Sequence, residues 1–500
     1  MEITPKIIYE NFLNNHIGAS SAISLLISII ENTENNSERI QCLEILNKIE
    51  IKNDALFFLL ENLLISDTNE TIKLIAARGL QRKFPGKALP AMKYVIKNIN
   101  SIDLIVEIIQ LIGTINNKLS RNILLEELSN IKNQKCKRIL RDMTESGVKN
   151  IDVSDLAAIL VNFLIIDYFE KKNGKVDFTI ENGLLTELNL SSLGSNLNTL
   201  SAQRKLPRAI GALIKLEKLN LRINDLPIIP KTFDLLSSLK FLDLSYNKIR
   251  TLPKSFSRLK SLEQLYLRYN DLDTLPESIG SLKSLKILDL HSNKLSRIPE
   301  SIGKLKLLSY LDLCGNQLLE LPASMENLSS LKYLELSTNN LRILPESMKN
   351  LKNLQVLSLG RNKSLKYLPE WFGGLKSLQK LVLNDNGLHH LPQMIGQLTS
   401  LKQLDLRNNK IARLPDFIAN LTFLEVLNLS WNKIIIIPDW IGSLKSLKEL
   451  NLWGNKIEKL PQSLRDLKSL NKIKIKPRKF KDSISTHINS LKVERVKLLK

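Results

Sequence analysis

From Leu216 onward, apolar and polar positions follow a fixed phrase, L-x-x-L-x-L-x-x-N, as in Leu285, Leu288, Leu290 and Asn293. The closing asparagine recurs as Asn224, Asn247, Asn270, Asn293, Asn316, Asn339, Asn362, Asn386, Asn409, Asn432 and Asn455. Every step is 23 residues except one of 24, between Asn362 and Asn386. A fixed period with fixed chemistry predicts a stacked solenoid, each coil burying its apolar side against its neighbours. The phrase predicts a short strand whose leucines point inward while the x residues point outward on the concave side. The asparagine turns the chain, and its amide can satisfy backbone groups of the turn and of the next coil that would otherwise lie buried and unpaired at roughly 1–3 kcal/mol each.

Proline stands six residues after each asparagine, from Pro230 to Pro461, and seven after it in the long coil, at Pro369. A residue with fixed φ and no amide donor suits an irregular outer arc. The segment Ile279-Gly280-Ser281-Leu282 and its equivalents predict a short helical turn that completes the arc. The extra residue near Ser364 and Leu365 predicts a small bulge beside the asparagine turn.

The first 150 residues have a different rhythm. Apolar residues recur at i, i+3, i+4 and i+7 in Ile40–Leu46, Leu56–Leu64, Ile72–Leu80 and Leu104–Ile112, the spacing of amphipathic helices. First helices are expected near Ser37, Glu70 and Ser101, and second helices near Asp54, Lys87 and Arg121, a loose period of helical hairpins. The stretch from Asp67 to Leu80, followed by Phe84-Pro85-Gly86, resembles HEAT repeats: Asp67 or Asn69 can cap the helix, Ala76 and Ala77 allow close approach, and Pro85 stops it. An unrelated helical domain is the alternative. A further helix is expected over 153–171, capped by Asp152 or Ser154, to cover the open edge of a first strand around Leu188 and Leu190. Residues 483–498, with Ile484, Ile488, Leu491, Val496 and Leu498, read as an amphipathic cap over the last coil, or else a membrane or partner helix.

The net charge of +22 invites a polyanion reading until it is divided. Residues 1–175 carry 22 basic and 21 acidic side chains, whereas 176–500 carry 50 and 29, so the excess belongs to the repeats and their tail. Lysines form a ridge in two columns before the strands, one including Lys260, Lys283 and Lys376, the other Lys240, Lys286 and Lys448. The ridge lacks the interleaved aromatics of single-strand binders and reads as a solvated face. Cys42, Cys136 and Cys314 are odd in number and far apart, the N-terminus has no signal-peptide pattern and no apolar run spans a bilayer; a cytoplasmic protein without a transmembrane segment is expected.

The full phrase, L-x-x-L-x-L-x-x-N-x-L-x-x-L-P-x-x-I-G-x-L, is clear in Leu262–Leu285 and Leu401–Leu424. It resembles the Ras-group leucine-rich repeat proteins, the plant intracellular Ras-group-related and Ras-suppressor types. The resemblance covers roughly 216–475 and implies a scaffold that engages small GTPases or their regulators. The shared positions are framework positions, so no family binding residue transfers, and the helical region in front departs from that family. The expectation is an α/β solenoid, a leucine-rich repeat horseshoe of about 11–13 coils, preceded by an all-α HEAT-like solenoid. Its parts are 1–150 (HEAT-like), 151–215 (junction helix, cap and irregular first repeat), 216–475 (leucine-rich repeats) and 476–500 (basic cap or tail).

What can differ between such proteins is the outward x residues. The middle column carries Asp243, Tyr266, Asp289, Asp312 and Glu335; one flanking column carries Phe241, Ile287, Tyr310 and Tyr333; the other carries Arg222, Arg268 and His291, with Tyr246, Tyr269 and Trp431 one place further on. Aromatics beside carboxylates and arginines are what protein recognition uses. The candidate protein-binding patch is therefore Phe241, Asp243, Tyr266, Arg268, Asp289, Tyr310, Asp312, Tyr333 and Glu335, against the plainer reading of a solvated strand face. A metal site on Asp289, Asp312 and Glu335 lacks the glycine-rich loops of calcium sites. Walker, HExxH, GxSxG and kinase signatures are absent. His389-His390 reads as surface and Cys314 as a half-exposed thiol, so neither a catalytic site nor a cofactor is expected. The function implied is a non-enzymatic protein scaffold; the alternative is a nucleic-acid or anionic-membrane binder using the lysine ridge and tail, with nucleic acid the less favoured partner.

Overall fold

The computed structural model describes residues 4–145, 151–192 and 205–475. By packing, the chain forms two compact units: Met1–Leu188 with Pro207–Leu216, and Asn189–Leu206 with Glu217–Lys500.

In the first unit the three expected hairpins are the helix pairs Asn36–Lys48 and Asp54–Ser66, Glu70–Lys83 and Pro85–Asn98, and Ile102–Gly113 and Lys118–Ser129. Helices Pro5–Leu13, Ala19–Asn32 and Gln134–Glu145, which the apolar spacing left unmarked, flank them. Asn69 is the cap of its helix, its side-chain oxygen accepting the amides of Thr71 and Ile72. Pro85 does not simply stop that helix. It is the first residue of the next, where a missing amide has no intrahelical partner to lose. Two lysines close helix ends from inside: Lys73 Nζ donates to the carbonyls of Leu64 and Ile65, and Lys83 Nζ to that of Ile49. Burial lowers the pKa of both amines.

The helix expected over 153–171 spans Val153–Asn173, with Asp152 as its cap. It is followed by a hairpin of β1 (Asp177–Glu181) and β2 (Leu184–Asn189). Asn182 and Gly183 take positive φ of 50° and 79°, the two-residue turn that matches strand twist. Asn162, the polar interruption in an apolar helix, accepts the amide of Leu185 in β2 at 2.8 Å, so a buried strand group finds its partner in the helix that covers it.

The second unit contains the strict repeat. Twelve three-residue strands, β3 (Lys218–Asn220) through β14 (Lys472–Lys474), form one parallel sheet among the described residues, each coil adding one strand. Pairing is in register, so equivalent positions of successive coils stand side by side: Tyr310↔Tyr333 and Asp312↔Glu335, for example. The strand leucines, such as Leu285, Leu288 and Leu290, are fully buried.

The ladder asparagines satisfy their own turn as expected, but the second coil they serve is the preceding one rather than the next. Asn293 Nδ2 donates to the carbonyls of Leu267 and Leu290 at 2.9 and 3.0 Å, and its oxygen accepts the amide of Leu272 at 3.0 Å. One side chain thus serves two coils. Each proline begins a 3-10 turn, as Pro276 does for Glu277–Ser281, and in the coils whose turn holds a glycine, this one included, the next coil approaches closely. A Cβ on Gly280 or Gly303 would overlap the carbonyl oxygen of Ser301 or Ser324 on the neighbouring coil. The 24-residue coil absorbs its extra residue in a tight turn, the amide of Leu365 donating to the Asn362 carbonyl at 2.8 Å. In place of the usual leucine amide two places on, the amide of Asn362 itself donates to Asn386 at 2.6 Å. The expected C-terminal amphipathic helix, 483–498, lies outside the described residues.

Candidate functional site

The outward face of the sheet is set by the register, and the middle column has a structural job. Its Asp, Glu and Asn side chains accept the backbone amide two residues on. Asp243 takes that of Ser245 at 2.8 Å, Asp289 that of His291 at 3.0 Å, Asp312 that of Cys314 at 2.9 Å and Glu335 that of Ser337 at 2.9 Å. Asn220, Asn428 and Asn451 make the same bond to Arg222, Ser430 and Trp453. This is an Asx-type turn at the strand's end, and it explains why Asp and Asn recur in the column. An amide oxygen serves it as well as a carboxylate. The acidic line read from the sequence is therefore in part a device of the fold.

The part that is not is the charge. Asp289 is only 6% exposed and Asp312 is half-hidden. Burial raises the Asp289 carboxyl above its ordinary value despite the His291 amide. Burial pushes that of Asp312 up to about 6, with the Cys314 amide opposing and Asp289 adding repulsion. His291 Nδ1 stands 4.0 Å from Asp312.

Three aromatic pairs occupy the same coils. Tyr310 of β7 (Tyr310–Asp312) and Tyr333 of β8 (Tyr333–Glu335) stack with ring centroids 4.4 Å apart and planes at 6°. The Tyr310 hydroxyl lies 3.4 Å from the second oxygen of Asp312. Burial, with Glu335 and Asp312 adding to it, pushes the Tyr333 phenol up to about 12, and burial also raises that of Tyr310. Phe241 of β4 (Phe241–Asp243) meets Tyr266 of β5 (Gln264–Tyr266) at 5.5 Å.

The third pair is Tyr246 with Tyr269, which the candidate patch did not include. Their centroids lie 4.5 Å apart; the Arg222 guanidinium sits 4.5 Å from the Tyr246 ring, that of Arg268 5.8 Å from it, and His291 meets Tyr269 edge-on at 5.2 Å. Arg222, Tyr246, Tyr269 and His291 form a continuous stack across four coils, and the two tyrosines remain 38% and 44% exposed. The signal in the sequence was position. Every residue preceding a ladder asparagine, from Ile223 to Gly454, has positive φ. Gly315, Gly454 and Asn408 suit that conformation, whereas tyrosine at φ 57° or 54° carries strain of order 1–3 kcal/mol.

Trp431, also at positive φ, lies on a distant coil and joins none of these pairs. Among the described residues no three His, Cys, Asp or Glu are grouped to hold a metal ion. Burial, reinforced by Glu335 and Asp312, pushes the Cys314 thiol up to about 11, the reverse of an activated nucleophile. His389 and His390 are exposed.

Part of the lysine ridge is engaged within the solenoid. Lys240, Lys286 and Lys448 pair with Glu217, Glu263 and Glu425 of the preceding coils at 2.7–2.8 Å. Lys260, Lys283 and Lys376 donate to carbonyls of Ser281, Lys304 and Gln397 on the following coils.

The leucine-rich repeat family matches the chain in successive segments, 214–272, 273–318, 308–363 and 329–388, and a leucine-rich repeat region matches 373–494. No curated protein matches the chain. Among solved structures, a leucine-rich repeat protein of Leptospira interrogans is 33% identical, with 64% of this chain and 93% of that one covered and a TM-score of 0.45. The plant peptide hormone receptor RGFR1, solved with RGF2, is 32% identical over 54% of this chain and 49% of its own, with a TM-score of 0.46. Drosophila Toll, solved with Spatzle, is 22% identical over 63% of this chain and 46% of its own, with a TM-score of 0.50, a likeness of fold. The chain thus spans nearly all of the bacterial protein and about half of the two receptors.

Proposed function

Because the chain is a leucine-rich repeat protein, we propose that it is a non-enzymatic scaffold that binds a protein partner on the outward, concave face of its strands, over residues 241–335. One observation carries the reading. Asp289 and Asp312 keep a buried charge at a turn position where asparagine serves elsewhere in the array, and they keep it beside stacked tyrosine pairs. Groups that raise the energy of the free protein yet suit a polar, aromatic interface are what partner binding selects. The Arg222–Tyr246–Tyr269–His291 stack extends the patch to its basic side. We take small GTPases or their regulators as the first partner class to try, on the Ras-group resemblance of the repeat phrase. We also take residues 1–150 as a HEAT-like array, 151–215 as the junction and the cytoplasm as the compartment; the three free cysteines are in keeping with the last.

The test is affinity capture from native cytosol with the full chain and with Asp312→Asn/Glu335→Gln, at two salt concentrations. Both substitutions keep the amide acceptor of the turn, so the fold is retained while the charge goes. The partner should be recovered by the native chain at both salt concentrations and lost with the double variant. Recovery unchanged by the double variant sinks the patch assignment. Recovery of nucleic acid or anionic vesicles, lost steeply as salt rises, would favour the polyanion reading instead.

A further inference from the structure

The one break in the repeat coincides with a second surface feature. Beside the Asn362–Leu365 turn lies an open groove of about 600 Å³, lined by Arg342, Ile343, Lys363, Lys366, Tyr367 and Pro369 among others. Tyr367 is 75% exposed and Ile343 66%, the first and third most exposed of the large apolar side chains described. They sit at equivalent places on adjacent coils, four residues after Asn339 and, because of the inserted residue, five after Asn362. The insertion therefore sets an aromatic ring beside an isoleucine on the flank of the solenoid rather than on its strand face.

The charge around this apolar floor is uncompensated. In the column immediately after the ladder asparagine, Lys248 pairs with Asp225 at 3.2 Å and Lys294 with Asp271 at 2.7 Å. Lys363 occupies the same column but is flanked by Asn340 and Gly387, and it makes no ion pair among the described residues; nor do Arg342 and Lys366. Three exposed cations with no carboxylate between them surround two exposed apolar side chains. A bare polyanion would use the cations and leave the apolar pair in water; an apolar ligand would use the pair and leave the cations idle.

We propose that this groove is a second docking site, for a short acidic peptide segment of a partner protein that presents a large apolar side chain flanked by carboxylates. The apolar side chain covers Ile343 and Tyr367 while the carboxylates meet Arg342, Lys363 and Lys366. Bidentate contact by Arg342 fixes the register, and the lysines supply charge without geometry. The site is independent of the strand face and needs none of its residues.

The test is selection of random 12-residue peptides displayed on phage against the full chain, with affinities of the selected peptides then read by fluorescence anisotropy. The expected peptides combine Asp or Glu with Leu, Phe or Met. Their Kd should rise about tenfold or more with Arg342→Glu/Lys366→Glu and about fivefold or more with Tyr367→Ser, and stay unchanged with Asp312→Asn/Glu335→Gln. A peptide whose apolar residues are replaced by serine should bind at least about tenfold more weakly. Arg342, Lys366 and Tyr367 are exposed, so substitutions there keep the native melting curve. The proposal is overturned if the serine peptide or a 12-nucleotide oligo-dT binds as well, if Tyr367→Ser changes nothing, or if no selected peptide is sensitive to the charge reversal.

Discussion

Replacing Asp312 by asparagine should make the protein more stable at neutral and alkaline pH while removing its strand-face partner. The carboxyl accepts the Cys314 amide through one oxygen, and an asparagine oxygen can accept the same bond. What is lost is the charge, which burial and Asp289 disfavour. The carboxyl rises from 3.8 to about 6 in the folded chain. That is a difference of about two pKa units, or about 3 kcal/mol at most, since each unit is roughly 1.4 kcal/mol. An acid whose folded pKa is raised stabilises the fold fully below its unfolded value, and that contribution disappears as pH climbs through the folded value. For Asp312 the window runs from about 3.8 to about 6. Above it the native chain carries the full penalty and Asp312→Asn does not. Urea unfolding of both chains at pH 4 and pH 8 should therefore show near-equal stability at pH 4 and a gain for the variant of about 1–3 kcal/mol at pH 8. A variant that is less stable at pH 8, or a difference that does not change with pH, would refute the claim that this carboxylate is retained against the interest of the fold.

The framework invites simpler tests, each read by thermal or urea unfolding. Asn339→Ala removes the donors to Leu313 and Leu336 and the acceptor for Leu318, all buried, and should destabilise by about 3–5 kcal/mol; a loss below about 1 kcal/mol would mean that the ladder is dispensable. Gly303→Ala drives a methyl into the carbonyl and Cβ of Ser324 and should cost about 2–4 kcal/mol, whereas the same change at Gly18, which has open space around it, should cost well under 1 kcal/mol.

The ladder was legible because its chemistry is local and repeated. An asparagine every 23 residues has only its own turn and an adjacent coil to bond, so the kind of group Asn293 satisfies was legible, but not that the second coil is the preceding one. The columns followed, because in-register strands put every twenty-third residue side by side. Single events were harder to read. The hairpin at Asn182-Gly183 carried its turn signal, but its strands are covered by a helix whose role depends on one buried asparagine, Asn162. Pro85 was read as a stop when a proline fits the start of the following helix equally well. The middle column showed its acids but not their shared bond to the amide two residues on, which only backbone geometry reveals.

That shared bond also separates what the fold requires from what it tolerates. In the middle column the fold asks for an Asx oxygen, and Asn220, Asn428 and Asn451 supply it without charge. In the column before each ladder asparagine the fold asks for positive φ, and Gly315, Asn408 and Gly454 supply it with little strain. Departures from the undemanding choice in the two columns arise from unrelated physics, desolvation of a carboxylate in one and backbone sterics in the other. Yet buried Asp289 and Asp312 and the strained, stacked Tyr246 and Tyr269 fall on neighbouring coils, and His291 touches both sets, 4.0 Å from Asp312 and edge-on to Tyr269. Each departure also occurs singly elsewhere, Ile223, Thr338, Arg361 and Trp431 at positive φ and Asp405 as a carboxyl raised by burial. What sets this stretch apart is that the rings stack and stand beside the carboxyls, joined through His291 and the Tyr310 hydroxyl, the arrangement suited to a partner that needs carboxylates and rings together.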